Sequence, residues 1–138
     1  MALRFKSFLS GSGGNAALLW SESGGLLVDF GPGSQRDSRA VIAEARKLCG
    51  ELLGAVITHA HGDHIGGNTL KRDGHLVPAY PNAEYVVQER EIAEMRAADD
   101  ATWRVRFVPI QEAGRLRIVS GEVALTPALT LWPMEGHT

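Results

Sequence analysis

The sequence predicts an α+β fold. Three observations lead there: short apolar runs separated by glycine-rich turns fill the amino-terminal part, one capped amphipathic helix follows them, and strand-like runs return towards the carboxy end. No repeat, linker or low-complexity segment divides the chain, so residues 1–138 read as one domain.

Taken in order, Leu3 to Leu9 alternates apolar residues with Arg4 and Lys6, the pattern of a half-buried strand, before Ser10-Gly11-Ser12-Gly13-Gly14 breaks it. Ala16 to Trp20 and Gly25 to Phe30 predict a hairpin, joined through Glu22-Ser23-Gly24-Gly25, where glycine supplies the positive φ of a tight turn. The opening is therefore antiparallel. Asp29 stands near the end of an otherwise apolar strand, and its carboxylate is expected to find partners there. Gly31-Pro32-Gly33 between a strand and a helix invites comparison with a dinucleotide-binding turn, but Arg36 stands where the third glycine would be and Glu51 precedes the next strand instead of ending it.

Ser34 or Ser38 caps the next helix, which carries Val41, Ala45 and Leu48 on one face and ends at Gly50. Cys49 lies beside that stripe and reads as a small apolar filler, since no motif around it would activate a thiolate. Leu52 to Ile57 is short, apolar and partly β-branched, as a buried strand should be. After it, Ile65-Gly66-Gly67-Asn68 predicts a short helix or turn, and Lys71-Arg72-Asp73-Gly74 an exposed loop, with His75 facing solvent. A strand over Tyr85 to Val87 is followed by a helix over Glu89 to Ala98 with Ile92 and Met95 on one side. Asp99-Asp100 marks a polar break, and Trp103, Val105, Phe107, Val108 and Ile110 then offer apolar surface for a core or for a pocket wall. Leu116 to Val119, Val123 to Leu125 and Leu129 to Trp132 read as strands.

Composition is that of an ordinary globular chain: 138 residues, 44% hydrophobic, 22% charged, formal net charge −2. That balance, without a Lys/Arg-dense run, disfavours nucleic acid as a partner; a small-molecule substrate is expected. The single Cys49 forms no intrachain disulfide, and Arg4 and Lys6 interrupt the amino terminus where a secretory signal would be apolar, so a cytoplasmic location is expected. No apolar run approaches the roughly 20 residues that span a bilayer.

The chemistry concentrates in Thr58-His59-Ala60-His61-Gly62-Asp63-His64, at the carboxy end of the predicted buried strand. Residues two apart in extended backbone point the same way, so His59 and His61 can present imidazoles to one ion. Gly62 is expected to let the chain bend, turning Asp63 and His64 towards a neighbouring position. Imidazole nitrogen and carboxylate oxygen suit a borderline divalent ion such as zinc. The plainer alternative is a solvated loop in which Asp63 caps a helix starting near His64.

His59-Ala60-His61-Gly62-Asp63-His64 resembles the HxHxDH signature of the metallo-β-lactamase superfamily, and Gly136-His137-Thr138 resembles the segment that carries that family's next histidine ligand. Gly11 to Asn15 and Leu26 to Gly31 are similar to the family's opening strands, and Pro81 to Gln88 with Ala113 to Leu116 look like a lactonase-like or organophosphate-hydrolase-like branch. The resemblance implies the amino-terminal part of an αββα sandwich, truncated before a bridging aspartate and a later histidine, and it places Asp29 near the metal loop. Met134-Glu135 departs from the Thr-Pro common before that histidine.

By resemblance, His59, His61 and His137 hold one zinc and Asp63 and His64 contribute to a second, with iron, manganese or cobalt as possible replacements. Asp63 additionally orients the nucleophile or manages its proton. The implied reaction is hydrolysis of an ester, lactone, amide or phosphoester by metal-activated water. The alternative is a non-catalytic metal-binding fragment or interaction scaffold, and a nuclease of the same superfamily ranks third. Weak or substoichiometric zinc is expected of a truncated chain, because assembling the ligands draws on folding free energy.

Overall fold

In the computed structural model, residues 2–32, 34–98 and 100–134 are described. Strands β1 (Arg4–Leu9), β2 (Ala16–Ser21) and β3 (Gly24–Phe30) form the expected antiparallel meander, and Gly24 has the positive φ its turn requires. Helix α1 (Gln35–Cys49) follows, with Ser34 Oγ accepting the Asp37 N–H at its start and Gly50 at φ 73° closing it. Next come β4 (Leu52–Val56), the one-turn helix α2 (Gly62–Ile65), the hairpin β5 (Thr69–Arg72) and β6 (His75–Pro78), and β7 (Glu84–Gln88). Helices α3 (Glu89–Ala98), α4 (Asp100–Arg106) and α5 (Val108–Glu112) lead to β8 (Leu116–Val119) and to the hairpin of β9 (Val123–Thr126) and β10 (Leu129–Leu131).

The main sheet has six strands in the order β1-β2-β3-β4-β7-β8, antiparallel from β1 to β3 and parallel from β3 to β8. Leu18, Leu27, Ala55 and Tyr85 lie in register across four strands and are all buried, because α1 lays Val41 and Ala45 against the β2, β3 and β4 region. On the other face Phe5, Leu19 and Leu26 lie in register, with Phe5 exposed and the other two half-buried. No helix among the described residues is long and apolar enough to cross a membrane.

One local expectation needs correction, and one open alternative is decided. Residues 71–74 do not form a free loop: Arg72 and His75 pair across a tight turn in which Asp73 and Gly74 both take positive φ, so the β5-β6 hairpin replaces it. The apolar residues after the polar break belong to helices that composition alone did not announce. Trp103, Phe107 and Ile110 recur at helical spacing and are buried, and the first two rings stack with centroids 5.7 Å apart, so they are core and not pocket wall.

Candidate metal centre

The site is built where the parallel strands end. Ile57 N–H donates to Val86 O at 2.9 Å, the last rung between β4 and β7, and beyond it the chain leaves the sheet as the loop 58–61. Loops at the carboxy ends of parallel strands converge because the strands run the same way. The loop, the end of β3 and the start of α3 therefore meet at one edge.

His59, His61 and His64 are brought together: the rings of His59 and His61 have centroids 4.7 Å apart, and those of His59 and His64 3.8 Å. Asp63 Oδ2 lies 3.4 Å from His64 Nε2. His61 is exposed, His59, Asp63 and His64 are half-buried, and the Nε2 of His59 is buried. His137 lies outside the described residues. Among the described residues no three His, Cys, Asp or Glu donors converge on a single ion position.

The bend before Asp63 is not made by glycine freedom. Gly62 lacks a positive φ and a Cβ there would meet nothing within 4 Å; the turn comes from α2, with His61 at its N-cap position. Asp63 consequently sits inside the first turn of that helix and does not cap one starting near His64. A close approach does demand glycine at Gly31, where a Cβ would lie 1.7 Å from the Asp63 carbonyl oxygen. The end of β3 thus runs directly under the loop.

Asp29 finds the partners its burial requires. Its Oδ1 accepts the Thr58 N–H at 2.8 Å, and its Oδ2 accepts the Thr58 hydroxyl at 2.7 Å and meets His64 Nδ1 at 2.7 Å. These contacts hold Asp29 at φ 58°, a left-handed conformation that costs a non-glycine residue on the order of 1 kcal/mol. With the carboxylate accepting at Nδ1, His64 carries its hydrogen there, and its Nε2 keeps a lone pair within 3.3 Å of the Asn15 amide nitrogen. A carboxylate on the far nitrogen of an imidazole is the usual support of a metal-binding histidine, and with the cluster of imidazoles and Asp63 it makes the donor set chemically fit for a divalent ion.

Three contributors escaped the sequence analysis. Asn15 donates through Nδ2 to Asp63 Oδ2 at 3.1 Å and its backbone N–H donates to Asp63 O at 2.6 Å, tying the glycine-rich turn to the loop. Its place among glycines was the only signal. Thr58 bridges Asp29 and His59, its Oγ1 standing 3.1 Å from His59 Nδ1. Glu91, on α3, accepts the Ala60 N–H at 2.9 Å, and nothing local in sequence distinguishes it from a solvated helix glutamate. Beside the loop lies a cleft of about 350 Å³ lined by Thr58, Gln88, Glu91, Ser120, Trp132 and Met134 among others. His75 is exposed on β6, as expected.

The fold is thus an α+β arrangement in which a mixed sheet gathers three histidines and an aspartate at one edge. The model of the metallo-β-lactamase superfamily matches residues 9–136, and the chain belongs to that family. An exodeoxyribonuclease, YycJ, from Bacillus anthracis is 33% identical over 82 residues, which are 59% of this chain and 31% of that protein. The fold is similar to that of a probable metal-dependent hydrolase from Staphylococcus aureus (TM-score 0.60, 21% identity, 84% of this chain and 47% of that one). It is also similar to an N-acyl homoserine lactone hydrolase with N-hexanoyl-L-homoserine at its catalytic metal centre (TM-score 0.62, 20% identity, 94% and 64%). The chain thus spans 31% of that curated relative and 47% and 64% of these two structures.

Proposed function

We propose that the protein is a metal-dependent hydrolase, zinc being the ion its donors suit best. The observation that carries this is the pairing of Asp29 with His64 Nδ1 beneath a cluster of three imidazoles and a carboxylate. His59 and His61 would hold one ion, together with His137, and Asp63 and His64 would contribute to a second position; iron, manganese or cobalt would fit the same donors. A bound ion of this kind supplies a Lewis acid that polarises the bond under attack and lowers the pKa of water.

The chain's own groups do the rest. Asp63 Oδ2, held by the Asn15 amide, is placed to receive a proton from an attacking water, and the half-exposed position of Asp63 gives that water access. Asp29 and Thr58 keep His59 and His64 from rotating. The neighbouring cleft offers room for a small substrate, and Trp132 and Met134 present apolar surface at its rim. Ester, lactone, amide and phosphoester groups all suit such a centre.

A specific observation also favours phosphodiester hydrolysis: the Bacillus anthracis relative is an exodeoxyribonuclease. The net charge of −2 speaks for a small substrate instead. The test is to load the full-length protein with zinc, assay esters, lactones, amides, phosphoesters and single- and double-stranded DNA, and repeat after chelation. Chelator-sensitive turnover of one class identifies the substrate. Metal binding without turnover of any class would establish the non-catalytic scaffold instead.

A further inference from the structure

We infer that Glu91 is a positioning residue for this centre, acting through the Ala60 peptide. The inference rests on the metal-hydrolase proposal above. Strands β3, β4 and β7 are neighbours, and all end at the same edge. The loop carrying His59 and His61 leaves the middle strand. The last residues of β3 supply Asp29, and the helix that directly follows β7 supplies Glu91 in its first turn.

The two carboxylates accept the N–H groups of the residues on either side of His59. Asp29 Oδ1 accepts the Thr58 N–H at 2.8 Å, and Glu91 Oε2 accepts the Ala60 N–H at 2.9 Å across 31 residues of sequence. Ala60 lies between the two histidines that would share one ion, so its peptide sets the relative direction of both side chains. Beyond β4 the strand ladder no longer holds this segment, and a loop N–H without an acceptor would let it sample other conformations. Glu91 replaces the missing ladder bond. Its position in the first turn of α3 also suits a carboxylate, because the helix N-terminus carries partial positive charge.

What Glu91 contributes is an acceptor at the right distance, and two conservative variants separate that from charge. Glu91→Gln keeps an amide oxygen at the same reach and loses the charge; Glu91→Asp keeps the charge and withdraws the oxygen by one methylene. In the full-length protein, zinc affinity measured by competition is expected to fall about 10- to 100-fold in Glu91→Asp and Glu91→Ala and to stay within about threefold of wild type in Glu91→Gln. The visible spectrum of the cobalt-substituted protein should change in the first two and persist in the third. Exchange of the Ala60 amide in the metal-free protein is expected to quicken about tenfold or more in Glu91→Asp and Glu91→Ala alone.

The amide-exchange arm needs no metal, so it separates this inference from the hydrolase proposal. Wild-type protein that binds no zinc would refute the metal centre. Wild-type exchange at Ala60 in Glu91→Asp, or a Glu91→Gln variant as impaired as Glu91→Asp, would overturn the role of Glu91. If Glu91→Ala fails to fold, the Gln and Asp pair still decides.

Discussion

Replacing Gly31 by alanine should damage the metal loop from beneath, although residue 31 bears no functional group. The added Cβ would lie 1.7 Å from the Asp63 carbonyl oxygen, 2.1 Å from its carbonyl carbon and 2.6 Å from the His64 nitrogen. Ordinary contact needs roughly 3.5 Å, so either the end of β3 or the loop must move by about 1.5 to 2 Å. The obstacle is backbone and has no rotamer to change. Overpacking of this kind costs about 1–3 kcal/mol where side chains can yield, and the upper end is expected here. For a chain of this size that corresponds to a fall in melting temperature of roughly 10 °C. Displacing Asp63 and His64 should also lower zinc affinity about 10- to 100-fold. The assay is thermal unfolding of the metal-free protein with zinc competition on the folded variant. Gly62→Ala, in the helix α2 that follows the loop and with nothing within 4 Å of its Cβ, serves as the control and is expected to melt at or slightly above wild type. A Gly31→Ala protein that melts within about 2 °C of wild type and binds zinc equally well would refute the steric reasoning.

Asp29→Asn should impair the site without replacing a ligand: the new amide cannot accept at both partners of Oδ2, and zinc affinity should fall about 10- to 100-fold while His75→Ala leaves it unchanged, as metal competition would show. His59→Ala is expected to abolish most zinc binding, and retention of full stoichiometry by metal quantification would remove His59 from the ligand set. Both tyrosines, Tyr80 and Tyr85, are buried, and burial pushes both phenols above their usual range. A raised folded value means the stabilisation is complete below the unfolded pKa of about 10 and is lost as pH climbs from there towards the folded value. Alkaline titration followed at the phenolate band should therefore show no ionisation until the chain unfolds, after which both phenols ionise together; a gradual step near the free-tyrosine value in folded protein would contradict their burial. Tyr85→Phe removes the oxygen that accepts the Tyr80 N–H at 2.9 Å and should cost about 1–2 kcal/mol in a denaturant melt.

The loop 58–64 was legible from sequence because its chemistry is local: four donor side chains within six residues, placed after an apolar strand, need no distant partner to be noticed. The hairpin, a serine cap at residue 34 or 38, the stop at Gly50 and the α+β class were legible for the same reason, each depending on short-range periodicity or on one residue's φ, and the structure decided for Ser34. Even the demand of Asp29 for partners followed from a carboxylate in an apolar strand. Who those partners are did not. Thr58 and His64 are 29 and 35 residues from Asp29, and Glu91 reaches Ala60 across 31; such pairings arise only when strands β3, β4 and β7 align in parallel and end together. The requirement for glycine at residue 31, and its irrelevance at 62, was likewise decided by which backbone passes within contact distance. The sequence showed apolar residues from Trp103 to Ile110, but tertiary packing decided that Trp103, Phe107 and Ile110 fill the core and that Trp132 stands at the rim of the cleft. Hydrophobic burial is non-directional, so a sequence specifies what must be covered, while the geometry of the assembled sheet settles what covers it.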